Sequence, residues 1–467
     1  MPISLFPYEV LLLVAENVVL VERRKEQAAR DTLMALTTLT AITASWRNLI
    51  IGYSPLWRDI HIKIPPPRDI RPHIPTRIHP NDLERVTCFL QRSNRSPIHL
   101  HIVRSWPELP MPIEETLELE REWKLMDEIL LPHMHRCRFI SAALEHVGSA
   151  VEPLRLLRLC ETPHLKELEL VHRRPSYTTS QMVMYESPLG DDWNILPEIV
   201  PLQSLIFSDP MGYLPKVIDV SWPSLSTLDV HIHVKWWPKL CVTLSQLPTL
   251  RELFLVLISR RVESFNQGGD RVDSRDNRVQ MPCVDRITTN NLAIWHDIST
   301  PILSSLSITA TGPYSMLLGP TLTTDRTLEG LLPALIELPV REVIFTGCFL
   351  SPYALPALRS LASVESLRFN RSISNWKVLE PLAQERESSD KSTSPPTSVI
   401  GKGEILPALK IISIDESHRS FPAVADSSKT KSLVKRLRSL SLDVAWTLES
   451  FSTVNRQYSH LRAVLHS

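Results

Sequence analysis

Three pairs of histidines stand two residues apart, His99/His101, His133/His135 and His231/His233. On a strand that spacing puts both imidazoles on one face, which is how a metal site begins. Cys137, two residues after His135, is a possible third ligand, and no pair has a further histidine or a carboxylate at an evident ligand spacing nearby. They are expected to be surface-strand histidines. Other catalytic patterns fail at specific residues. Gly52-Tyr53-Ser54-Pro55-Leu56 ends in leucine where a nucleophile elbow needs glycine, Gly401-Lys402-Gly403 lacks the loop and hydroxyl of a phosphate-binding turn, and no H-E-x-x-H occurs. Trp236-Trp237 beside Pro238 reads as a packed loop. The expectation is a protein without catalytic residues, metal or cofactor, and so not an enzyme.

Composition points the same way. The 467 residues include 38 prolines and only 12 glycines, with Gly52 alone in the first 147 positions. Phosphate cradles and strained elbows use glycine where the backbone turns with positive φ, so a dinucleotide or nucleotide fold at the N-terminus is disfavoured. Lys+Arg 51 balance Asp+Glu 51, leaving no overall field to draw nucleic acid or anionic lipid. The six cysteines, Cys88, Cys137, Cys160, Cys241, Cys283 and Cys348, show no paired spacing, which suits a reducing compartment. The apolar run from Val10 to Val21 is broken by Glu16 and Asn17 and is followed by Arg23, Arg24 and Lys25, unlike a signal peptide or a membrane anchor. A cytoplasmic or nuclear protein is expected, with no membrane or nucleic-acid partner.

These features need elements to carry them. Pro7 opens an apolar helix, and a second apolar stripe recurs at Leu33, Leu36, Leu39, Ile42, Trp46, Leu49 and Ile50. The β-branched threonines between Thr37 and Thr43 predict a break near Thr40. Gly52 and Pro55 end the stripe, and Ile60-His61-Ile62-Lys63-Ile64 alternates as a strand. After a proline-rich link from Pro65 to Pro80, Leu83–Leu90 reads as an amphipathic helix and Ile98–Ile102 as another strand.

The Leu5-x-Pro7-x-Glu9 opening, the leucine-rich helix, Ser45-Trp46-Arg47 and then Pro55-Leu56-Trp57 resemble the F-box, in the variant abundant in mushroom-forming fungi. Thr43-Ala44 replaces the family's usual Val-Cys, and a charged stretch runs from Glu22 to Asp31. The resemblance implies a three-helix module that binds a Skp1-type adaptor and through it a cullin. The adaptor-binding residues it implies are Leu5, Pro7, Leu11, Val14, Leu33, Leu36, Leu39, Trp46, Pro55, Leu56 and Trp57.

The remainder repeats a six-residue signature, apolar-x-x-apolar-x-apolar. It starts at Leu165, Leu202, Leu225, Leu250, Leu303, Val340, Val364, Leu409 and Leu437, several of them 23 to 28 residues apart. A further member is plausible at Met134/Cys137/Phe139. The intervals suit an irregular leucine-rich-repeat solenoid, one short strand per unit in a curved parallel sheet. In seven of the nine units a proline precedes the first apolar position by one or two residues, where its fixed φ sets the start of the strand.

The fold class expected is therefore α/β: residues 1–60 an F-box-like helical module, 61–130 a linker and helix-strand connection, and 131–467 the repeats. Insertions are expected near 260–291 and 384–403. Outward positions would hold Glu167, Glu169, Asp229, Glu252, Glu342, Asp415 and Asp443, with Arg368 the one cation, an acidic face for a basic client. With the resemblance this implies the substrate-recognition subunit of a Skp1–cullin–F-box ubiquitin ligase. The alternative is a repeat scaffold for protein–protein interaction, not coupled to ubiquitin ligation.

Overall fold

The computed structural model describes residues 7–23, 28–64, 80–104, 126–144, 161–172, 201–209, 222–233, 236–258, 278–290, 297–309, 338–346, 362–370, 408–415 and 443–447, together with residues 157, 294, 295, 380, 381, 384, 432, 435 and 438. Two compact units divide the chain, Met1–Leu228 and Asp229–Ser467. The fold is α/β on a large parallel sheet.

Pro7 stands at the start of the first helix as expected. Its carbonyl accepts from Val10 N (3.0 Å) and Leu11 N (3.2 Å) at the start of α1, Tyr8–Arg23. Helix α2, Ala28–Ile42, continues past Thr40, whose hydroxyl donates to Thr37 O at 2.8 Å. The break falls instead at Thr43, which is extended and whose Oγ1 accepts from Trp46 N (3.2 Å). Thr43 is thus the N-cap of α3, Ala44–Gly52, and satisfies one of the donors that a helix start leaves free. Proline then opens a 3-10 turn over Ser54–Trp57.

Leu36, Leu39, Trp46, Leu49, Ile50, Leu56 and Trp57 are the interior of these helices. Trp57 Nε1 donates to Ile50 O (2.7 Å), its ring meets Phe89 edge-on at 5.0 Å, and the Arg92 guanidinium lies 4.4 Å from its centre. Tyr53 OH donates to Glu16 Oε1 at 2.7 Å, tying α1 to the end of α3, and the adjacent carboxylate raises the phenol pKa.

Trp57 leads directly into strand β1, Asp59–Ile64. Helix α4, Pro80–Arg92, follows, then β2 (Ile98–Arg104), β3 (Cys137–Leu144), β4 (Glu167–His172) and β5 (Ser204–Asp209), paired in parallel in that order. Ile60, Leu100, Ile140, Leu168 and Leu205 share one buried rung. The sheet therefore starts at residue 59, and the segment expected to link helices to repeats contributes its first strands. Trp57-x-x-Ile60-x-Ile62 already has the repeat signature. The unit expected at Met134/Cys137/Phe139 sits three residues later, on Cys137, Ile140 and Ala142, all buried, because Ile140 is what faces Leu168.

One buried cation stitches α4 to the chain before β3. Asn94 turns the end of α4 with φ 47, a left-handed C-terminal stop. The Arg136 guanidinium donates to the carbonyls of Leu90 (2.8 Å), Ser96 (3.1 Å) and Asn94, where a helix end concentrates negative potential.

Strand β6, Thr227–His233, spans the division between the units. In the second unit, helix α5 (Trp237–Leu244) precedes β7 (Glu252–Ile258), and short strands β8 (Val279–Gln280) and β10 (Ile298–Ser299) pair with each other. Strands β9 (Arg286–Thr289), β11 (Ser305–Thr309), β12 (Glu342–Thr346), β13 (Ser366–Asn370), β14 (Ile411–Asp415) and β15 (Asp443–Thr447) extend from β7 in parallel. Leu253, Ile287, Leu306, Val343, Leu367 and Ile412 form one buried rung. Phe345 and Phe369 stack in the next, 5.7 Å apart.

Two expectations change here. The insertion near 260–291 ends in a repeat, Val284-x-x-Ile287-x-Thr289, whose last inward position is a buried threonine. The last strand is not built on Leu437, Leu440 and Leu442: register sets Val444 and Trp446 opposite Ile412 and Ile414. The insertion expected at 384–403 lies outside the described residues beyond Gln384.

The prolines do more than start strands. Leu165 N donates to Thr162 O, Leu225 N to Trp222 O, Leu250 N to Leu247 O and Leu303 N to Thr300 O, at 3.1 to 3.3 Å. Each bond closes a β-turn whose second residue is the proline, 163, 223, 248 or 301, the position its ring pre-sets.

Candidate functional site

No catalytic constellation forms among the described residues. Among the described residues no group of three or more His, Cys, Asp or Glu is placed to hold a metal. His133 and His135 lie on the 3-10 turn Leu131–Arg136 and not on a strand. Burial, then the Arg136 guanidinium 3.3 Å away and His135, lower the His133 pKa. His231 pairs with Asp229 at 3.2 Å, and the His233 side chain lies outside the described residues. Cys88, Cys137, Cys241 and Cys283 are free thiols, and burial pushes Cys241 up to about 12, away from nucleophilic use. Trp237 is buried at the start of α5 and donates to Asp297 Oδ2 at 2.8 Å. No helix among the described residues is long and apolar enough to cross a membrane.

Two surfaces remain. On the N-terminal helices, the residues expected to meet a partner divide by burial. Leu36, Leu39, Trp46, Leu56 and Trp57 are interior, because a module this small needs its largest side chains for its own core. Pro55 is half-buried in the 3-10 turn, and Leu11 is half-buried on α1. Pro7 is exposed and Val14 is 44% exposed. Leu5 and the side chain of Leu33 lie outside the described residues. Of the exposed apolar set the sequence reading named Val14; it did not name Val10 (39%), Leu13 (59%) and Val18 on α1, Met34 and Ile42 on α2 or Ile51 on α3 as contact residues. Val10, Leu13 and Val14 fall at i, i+3 and i+4, one stripe along α1. Helical spacing shows the stripe; only packing tells which of two apolar stripes turns outward.

The second surface is the outward face of the strands, where register fixes neighbours. Across β7 to β15 one row reads Glu252, Arg286, Ser305, Glu342, Ser366, Ile411, Asp443, and the next reads Phe254, Thr288, Ser307, Ile344, Arg368, Ser413, Ala445. Glu252 pairs with Arg286 (3.4 Å) and Glu342 with Arg368 (2.8 Å). Ser305 Oγ also donates to Glu342 Oε2 at 2.9 Å. Of the acidic line expected here, Glu252 and Glu342 are thus compensated. Arg286 escaped the sequence reading because its strand has threonine in the third apolar slot. Asp415 and Asp443 stand on β14 and β15 with side chains outside the described residues. Of the carboxylates expected on the outward face, Glu167 and Glu169 on β4 have no ion pair among the described residues. They are in register with Phe139 and Ser141 on one side and Ser204 and Ile206 on the other.

Set beside models of known protein families and against curated proteins, the chain matches none.

Proposed function

We propose that the chain is the substrate-recognition subunit of a Skp1–cullin–F-box type ubiquitin ligase. It is non-catalytic: the N-terminal helices hold the adaptor, the strands form a leucine-rich-repeat solenoid whose outward face holds a client, and rate comes from the effective concentration this imposes. The observation that carries the reading is the exposed apolar stripe Val10, Leu13 and Val14 on helices whose interior is already filled. Large apolar side chains left outside a complete core mark a protein-contact surface. The F-box resemblance of Pro7, Trp46, Pro55 and Trp57 names the adaptor. Glu167 and Glu169 keep a basic client segment as the match on β4.

Co-expression of the full chain with a Skp1-type adaptor tests this. The complex is expected to co-purify, and Leu13→Asp, which leaves the core intact, is expected to weaken it at least tenfold. An intact chain that does not bind the adaptor at micromolar concentration overturns the ligase reading and leaves the interaction scaffold.

A further inference from the structure

The outward face of β1 and β2 gathers four titratable side chains that the proposed function does not use. Asp59 is buried, with Oδ1 3.0 Å from His99 Nδ1 and 3.9 Å from His101 Nε2. Register puts His61 beside His101, and the two imidazoles stack, centroids 4.5 Å apart and planes 9° from parallel. Phe139 on β3 closes the group, 5.8 Å from His99 and 5.1 Å from His101. Among the described residues, the other charged groups near it are Arg58, Arg85, Asp82, Glu167 and Glu169. Arg58 Nε is 3.5 Å from Asp59 Oδ2; Glu167 and Glu169 stand on β4, beyond Phe139 and Ser141. From α4, packed on β1, Arg85 donates to the His61 carbonyl at 3.3 Å while pairing with Asp82 at 3.0 Å.

Imidazoles exchange protons between about pH 5 and 8. Asp59 can offset one imidazolium, and His99 is nearest to it. Protons on both His61 and His101 set two like charges face to face at the stacking distance. We propose that Asp59, His61, His99 and His101 form a proton-sensitive clasp on the first strand, closed by the neutral imidazole stack and loosened when both stacked rings are charged. The consequence is local, because β1 ends the sheet and β2 is its strand partner. Loosening the clasp frees the strand that follows directly on the N-terminal helices.

Amide hydrogen exchange of the full chain at pH 7.5 and 5.5, corrected for the intrinsic pH dependence of exchange, tests this on peptides covering 59–64 and 98–104. Protection in these strands is expected to fall at least about tenfold, a value between the roughly fivefold that two unit charges at this distance give with bulk-water screening and the roughly several-hundred-fold they give at the effective dielectric near a protein surface. His61→Phe keeps a ring in the stack but carries no proton, and is expected to lose less than about twofold. His101→Phe reads the same contact from the other ring and stands in should His61→Phe fail to fold. Equal losses in wild type and both folded variants, or no loss in wild type, overturn the clasp.

Discussion

Arg136→Ala should be among the most damaging single substitutions in the first unit, although the residue lies outside the repeat signature. The side chain is 8% exposed and its guanidinium donates to Leu90 O, Ser96 O and Asn94 O. Removing it strips partners from three carbonyls at the end of α4. Leu90 O keeps a second donor, the Ser93 hydroxyl at 2.8 Å, so its loss is partial. The Leu90 bond is buried and those to Asn94 and Ser96 are half-buried, so each lost donor costs about 1–3 kcal/mol, nearer the low end for the latter two. Against this stands the release of a buried cation from its desolvation, which burial already signals by lowering the Arg136 pKa. The balance is about 3 kcal/mol, and for a unit of this length about 6–12 °C in Tm. Urea unfolding followed by tryptophan fluorescence measures it. Arg136→Lys, which places one ammonium among the same carbonyls, should lose about half as much. An Arg136→Ala protein within about 0.5 kcal/mol of wild type would refute the reasoning, because the carbonyls would then be satisfied by water.

Two further outcomes follow from caps and burial. Thr43→Ala should cost about 1 kcal/mol by removing the acceptor for Trp46 N, while Thr43→Ser should be near neutral; thermal unfolding followed by far-UV circular dichroism distinguishes them. His133 has its pKa lowered, so the folded state binds fewer protons there than the unfolded chain. Its contribution is present above the unfolded value near 6.5 and lost as pH falls towards the folded one, a pH-dependent loss that His133→Asn should remove from urea titrations between pH 7.5 and 5.5.

What was legible in the sequence is what leucine and proline encode. The first apolar positions Leu165, Leu202, Leu225, Leu250, Leu303, Val340, Val364 and Leu409 are all buried. The first two strands read as strands but not as members of the repeat, and the units that were missed or misplaced were so for identifiable reasons. In β1 the first slot is a tryptophan that also belongs to the helices. In β2 the first slot, Ile98, stands one residue nearer to Leu100 than the signature allows, and register with β3 shifts at that step, where Arg138 is the extra residue. In β9 Thr289 replaces an apolar residue, and before β15 a leucine triplet imitates a strand that forms four residues later. The His61–His101 stack could not be read from spacing, since forty residues separate partners that only strand register brings together. The burial of Trp57 could not be read either, because an aromatic beside a proline suits a surface as well as a core until Phe89 and Arg92 arrive to cover it.

The proline excess and glycine scarcity now have one mechanism. A chain that reverses direction before each strand ordinarily spends glycine on turns that need positive φ. Here Asn94 is the one described non-glycine residue with positive φ, so His164, Ser224, Thr249 and Ile302, each following a turn proline, hold ordinary backbone angles. A turn with proline second and an L-residue third at negative φ closes its hydrogen bond on the first apolar residue of the repeat. That residue is thereby held before the strand ladder begins. The next residue's carbonyl then accepts two successive amides from the following strand: Arg251 O from Asp285 N and Arg286 N, Ser304 O from Arg341 N and Glu342 N, Glu365 O from Lys410 N and Ile411 N. Turn, anchor and shared carbonyl recur as one unit, and register follows from their spacing. Because register sets which side chains become neighbours, it also sets the charge pattern of the outward face. Arg286 neutralises Glu252 through adjacent strands, whereas Arg368 reaches Glu342 diagonally. The charge pattern of the outward face is therefore a property of the turns before it is a property of the charged residues.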